Sequence, residues 1–190
     1  MDRADLKNLH VLIVGGKPHA VTTLRTVFGI IGLNKVSAVA ESARAIEILC
    51  DETVDAVFCD EGADYLDYLP FPMAARRASG VLNPMLPIFL VCGSPIRPQV
   101  ERARDDGITD VLTRPISAAT VIRKLNVATV CPRPFILAGS FFGPDRRGAG
   151  RNLFRGDERR KRTPKKLKIA PHETAAFLTA PVVSEAVQVE

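Results

Sequence analysis

No run of about 18 consecutive apolar residues occurs in the 190-residue chain, so no membrane-spanning helix is expected. The opening Met1-Asp2-Arg3-Ala4-Asp5 is acidic and polar, unlike a secretory leader, and a cytoplasmic protein is expected. Four cysteines (Cys50, Cys59, Cys92 and Cys131) show no paired metal spacing, and His10, His19 and His172 do not cluster with them. A zinc site is therefore not expected, and in a reducing compartment these cysteines read as small buried hydrophobes. Cys59 and Cys92 fall near the carboxyl ends of neighbouring strands, which leaves a redox role as the alternative to inert burial. Gly15-Gly16-Lys17 fits neither G-x-G-x-x-G nor G-x-x-x-x-G-K-[ST]. It reads as a tight turn, or as a cradle for an anion or small nucleotide at a helix N-terminus.

Charge is present but unevenly distributed. Residues 1–132 carry 14 Lys+Arg against 15 Asp+Glu, and residues 133–168 carry 12 against 3. Residues 169–190 carry no Lys or Arg and 3 Glu, so the formal net charge of +5 arises in the segment after residue 132. The sequence divides accordingly into a folded domain over 1–132, a basic Arg/Lys/Phe tail over 133–168 and an Ala/Val-rich end over 169–190, both C-terminal segments expected to be largely disordered.

Within 1–132 apolar strand-like runs alternate with helical periodicity. His10-Val11-Leu12-Ile13-Val14 reads as a central strand covered on both faces. Pro18 opens a helix whose Val21, Leu24, Phe28 and Ile31 share one face, and Gly32 supplies its stop. Further strands are expected at 35–40, 54–60, 86–91 and 108–112, with helices between them and a last helix capped by Ser117. This alternation implies an α/β domain with a five-stranded, parallel, doubly wound sheet of flavodoxin-like order 2-1-3-4-5. Ligands of such sheets lie beyond the carboxyl ends of the first and third strands, where Gly15, Gly16 and Asp60 fall.

An aspartate at that place can accept a phosphoryl group only with help from a metal, a hydroxyl and a cation around the phosphate oxygens. Asp60, ending Val54-Asp55-Ala56-Val57-Phe58-Cys59-Asp60, together with Arg114-Pro115-Ile116 after the fifth strand, resembles the receiver domain of bacterial response regulators over residues 8 to about 128. The resemblance implies a phosphoacceptor position at Asp60, and at residues 114–115 a lysine followed by a cis proline. Pro115 matches, and Arg114 keeps the lysine's charge. It also implies an acidic metal-binding pair after the first strand, a Ser or Thr ending the fourth and an aromatic three positions before the lysine. This chain has Gly15-Gly16, Cys92 and Val111 there. A degenerate receiver, or pseudo-receiver, is therefore expected, with Arg114 able to form a bidentate ion pair with Asp60. Mg²⁺ is expected only if Asp60 is phosphorylated, and Glu61 and Asp64 are the remaining carboxylates in reach, with nothing in the sequence aiming them at the site. The alternative is an ordinary strand-end carboxylate.

On this resemblance the leading expectation is a non-enzymatic regulatory module of two-component or phosphorelay signalling. Its partners would be signalling proteins such as a histidine kinase or a downstream regulator, reached through the fourth-helix–fifth-strand–fifth-helix face and the tail. A working phosphoacceptor at Asp60 is the alternative. In the tail, Phe141-Phe142-Gly143-Pro144-Asp145-Arg146-Arg147 resembles an aromatic-Gly-Pro-Asp-Arg-Arg motif that follows single receiver domains in some alphaproteobacterial regulators. Asn152-Leu153-Phe154-Arg155-Gly156-Asp157-Glu158-Arg159-Arg160 repeats the order loosely, and two copies suggest docking. The basic run 159–168 attracts polyanions, so an acidic protein surface, anionic lipid or nucleic acid is a further expected partner class, and a nucleic-acid-binding accessory protein using residues 133–168 is a third functional reading, beside a purely solubilising tail.

Overall fold

The computed structural model describes residues 6–63, 65–66, 68–146 and 165–167. Five parallel strands form the main sheet: β1 (His10–Val14), β2 (Lys35–Val39), β3 (Ala56–Asp60), β6 (Ile88–Cys92) and β7 (Asp110–Thr113). Their order is β2-β1-β3-β6-β7, which is 2-1-3-4-5 when the strands of this sheet alone are counted. Helices α1 (Pro18–Ile31), α2 (Ser42–Asp51), α3 (Phe71–Arg77) and α4 (Arg97–Asp105) make the crossovers, and α5 (Ala118–Val130) follows β7.

Period-two alternation within apolar strands builds two cores at once. Val11 and Ile13 of β1 face Phe28 of α1 and Leu125 of α5, while Leu12 and Val14 face Leu49 of α2 and Phe71 of α3. Phe58 packs between Phe28 and Phe89, with ring centroids 4.8 and 5.0 Å apart. Pro18 begins α1 as its N-terminal proline, Gly32 ends it at φ 90°, and the Ser117 hydroxyl accepts the Thr120 N–H at 3.2 Å to start α5. At the other end of the sheet Asp55 accepts the His10 N–H at 2.7 Å, and burial raises its carboxyl above the ordinary value. A raised folded value favours folding below the unfolded pKa of about 3.9 and loses that contribution as pH rises through the folded one. Asp55→Asn, which keeps the acceptor, is expected to gain stability relative to wild type between pH 4 and pH 7, read by thermal melts at both.

Two features depart from the sequence expectations. Between β3 and α3 the chain forms a miniature hairpin, β4 (Tyr65–Leu66) with β5 (Leu69–Pro70), whose turn residue Tyr68 sits at φ 65° and is 97% exposed. The segment from 133 also does not dissolve as expected. Its described part forms β8 (Phe135–Ala138) and β9 (Phe141–Pro144), joined antiparallel with β10 (Lys165–Leu167). The physical reason lies in the aromatics. Phe135 and Ile136 are each 3% exposed, Phe135 packs against Phe142, and the Arg76 guanidinium lies 5.0 Å from the Phe135 ring centroid. Gly143 abuts Gly107 so closely that a Cβ there would come within 3.0 Å of the Gly107 Cα. The folded body thus extends past residue 132 to at least Asp145, whose N–H donates to the Pro134 carbonyl at 2.8 Å.

Candidate functional site

The carboxyl ends of β1, β3, β6 and β7 bring Gly15-Gly16, Asp60, Cys92 and Arg114 together. Strand pairing does the positioning: Val14 pairs with Cys59, Asp60 with Val91, and Cys92 with Thr113. The Arg114 N–H donates to the Cys92 carbonyl at 2.8 Å, and the Arg114–Pro115 peptide is cis.

Arg114 spans two acids. Its Nη2 donates to Asp60 Oδ2, and its Nη1 to Glu61 Oε1 at 2.9 Å. Asp60 Oδ1 accepts the Gly62 N–H at 2.9 Å, and Glu61 Oε1 accepts the Gly93 N–H at 3.0 Å. The Asp60 side chain is only 12% exposed, against 35% for Arg114 and 47% for Glu61. Charge-assisted bonds from one planar cation to two carboxylates, both braced by backbone amides, fix the guanidinium across the strand ends. The pair expected as bidentate is instead a bridge, each nitrogen serving a different acid. Glu61 is the member that sequence reasoning did not place, because its direction depends on the Gly62 turn and on the Gly93 amide from the neighbouring strand. Asp64 lies outside the described residues.

The glycines close the site from the β1 side. Gly15 and Gly16 have φ 71° and 90°. A Cβ on Gly15 would lie 2.8 Å from the Ala63 Cα, and one on Gly16 would lie 3.4 Å from the Asp60 Cγ. This is a tight turn pressed against the β3–α3 loop, so an acidic pair would be strained on this backbone. Mg²⁺ takes oxygen ligands, and the candidates at these strand ends are Asp60 and Glu61. The two carboxylates already accept from Arg114, and among the described residues no group of three His, Cys, Asp or Glu is gathered for a metal.

Cys92 is 2% exposed, and its thiol is pushed up by burial, then by the Glu61 charge, with Arg114 opposing. Cys59 is equally buried, while Cys131 is exposed. In timed alkylation followed by peptide mass spectrometry, Cys131 is expected to react first and Cys59 and Cys92 last, with protection lost on unfolding. Early labelling of Cys92 would contradict the site's packing.

Of the residues singled out in the tail, Phe141, Phe142 and Arg146 are folded onto the domain. The Arg146 guanidinium sits 3.8 Å from the Phe141 ring centroid and pairs with Asp105. The Phe141 motif therefore contributes to the body's own packing. Arg147, Phe154, Arg159 and Arg160 lie outside the described residues, as does 168–190.

The parallel order 2-1-3-4-5 is a flavodoxin-like fold, and solved receiver domains share it. The chain is similar to the receiver domain of a sensor histidine kinase from Pseudomonas aeruginosa, solved with magnesium in its active-site cleft. The TM-score is 0.54 at 21% identity, covering 62% of this chain and 94% of that one. It is also similar to the chemotaxis response regulator CheY4 of Vibrio cholerae, with TM-score 0.53, 18% identity and coverage of 62% and 96%. A third is the receiver domain of Ssk1 in complex with the phosphotransfer protein Ypd1 from Saccharomyces cerevisiae, at TM-score 0.52, 16% identity and coverage of 64% and 88%. No protein-family model and no curated protein sequence matches the chain. No helix among the described residues is long and apolar enough to cross a membrane.

Proposed function

We propose that this protein is a receiver-like regulatory module of two-component or phosphorelay signalling that acts by protein–protein contact, without enzymatic activity and without the phosphorylation cycle. The observation that carries this reading is the Arg114 bridge to Asp60 and Glu61 beside a left-handed glycine turn that strains any side chain and, at Gly15, presses against Ala63. In phosphoryl transfer the protein supplies positioning and charge neutralisation, and here the positive charge next to Asp60 is permanent and intramolecular. Such a bridge favours one arrangement of the strand ends, where a phosphorylated receiver would choose between two. The partners this reading calls for are a histidine kinase, a phosphotransfer protein or a downstream regulator. The receiver–phosphotransfer complex among the similar structures supports that class.

Incubation with acetyl phosphate and Mg²⁺, followed by intact mass, tests the reading. The expected result is no phosphoryl adduct. An adduct on the wild type that disappears in Asp60→Asn would replace this reading with a working phosphoacceptor.

A further inference from the structure

A cavity of about 270 Å³ opens beside the Arg114 bridge, at the carboxyl ends of β3 and β6 and beneath α3 and α4. Its size is near the lower end of small-molecule sites. Phe71, Leu90 and Ile108 wall it, and the two buried cysteines line its floor. Apolar side chains facing a cavity forgo the contacts a packed interior would give them, so an apolar body entering there gains both burial and dispersion.

The polar part of the lining is unbalanced. Asp60, Glu61 and Asp106 contribute three carboxylates, and Arg102 contributes one guanidinium. Counting Arg114, which bridges two of those acids, leaves three negative charges against two positive ones. Burial, then the neighbouring Asp105 charge, raises the Asp106 carboxyl above the ordinary value, with Arg102 and Arg146 opposing. A cation entering the cavity would relieve that imbalance, whereas an anion would compound it. A bare metal ion would leave the apolar walls without a partner.

We propose that this cavity binds a small organic cation with an apolar body, an aryl- or alkylammonium, which competes with Arg114 for the Asp60 and Glu61 carboxylates. The ammonium lies toward the strand ends, and the body fills the space under α3 and α4. Because Gly62 N–H donates to Asp60 and Gly93 N–H to Glu61, those two amides report any change at the carboxylates.

The experiment is an NMR titration of the ¹⁵N-labelled full chain with benzylamine, and with benzyl alcohol and benzoate as matched neutral and anionic probes. Saturable shifts of the Gly62, Gly93 and Ile108 amides are expected with benzylamine, with affinity at least about tenfold weaker for the other two probes. Glu61→Gln and Asp106→Asn, both isosteric, are each expected to weaken benzylamine severalfold. Absence of saturable shifts, equal response to benzyl alcohol, or undiminished binding in the Glu61→Gln/Asp106→Asn double variant would overturn the proposal. Should a variant fail to fold, the three-probe series on the wild type decides alone. Benzylamine binding depends on the cavity, and the acetyl phosphate experiment on Asp60 reactivity, so failure of one is distinguishable from failure of the other.

Discussion

Arg76→Ala is expected to cost about 3–5 kcal/mol of stability, the largest effect of any single substitution considered. Arg76 is 3% exposed, and the acceptors of its guanidinium are all backbone carbonyls. It donates to Gly107 from Nε and Nη2 at 3.2 and 3.1 Å, and to Pro84 and Leu86 from Nη1 at 2.6 and 2.7 Å. Truncation would leave three carbonyls without these donors and remove the cation from the Phe135 ring. Each orphaned acceptor costs roughly 1–3 kcal/mol before relaxation, and water entry recovers part of the sum. Arg76→Lys rescues little, because a single ammonium cannot reproduce the fork. Burial pushes the guanidinium down from its ordinary value to about 9. That value is still above neutrality, so folded and unfolded chains both carry the charge below about pH 8, and Arg76 adds no pH slope to stability there. Urea titration would reveal the loss, and hydrogen exchange would show residues 135–144 losing protection with it. A loss under about 1 kcal/mol would mean that the hairpin is held elsewhere.

The second large effect concerns the missing acidic pair. Restoring it as Gly15→Asp with Gly16→Asp is expected to destabilise the fold by about 1–3 kcal/mol per site and to create no Mg²⁺ site. Both positions are left-handed, and a Gly15 side chain meets the Ala63 backbone. A carboxylate on Gly16 would also be introduced against the Asp60 carboxylate. Arg114 would still occupy Asp60 and Glu61, so Mg²⁺-dependent amide shifts are expected only when Arg114 is replaced as well. Thermal melts and Mg²⁺ titrations of the double and triple variants read the two effects separately. Strong Mg²⁺ binding by the double variant alone would show that the bridge yields readily.

Local signals carried most of this architecture. The continuous apolar run of β1, Pro18 and Gly32 at the ends of α1, and Ser117 before α5 each act over a few residues, and each fixes an element the structure contains. The sequence places Asp60 and Arg114 at the same end of the sheet, because sheet order follows from crossover handedness, and the structure pairs them. Glu61 was not placed, since its orientation is set by an amide 32 residues away at Gly93. The hairpin at 135–144 was hidden for a related reason. Its Phe and Arg residues sit in a segment of high net charge, and composition alone argues against folding there. What folds it is a docking surface built by Arg76 and Gly107, visible only once the domain is assembled.

On the proposed reading, Arg114 occupies the place where metal and phosphoryl group would otherwise act. The most direct measurement follows the Gly62 and Gly93 amides of the full chain during addition of Mg²⁺ and then beryllofluoride. No saturable change at either amide is the predicted result. Coupled, saturable shifts that vanish in Asp60→Asn would contradict it, showing that the bridge opens and that Asp60 receives the phosphoryl analogue.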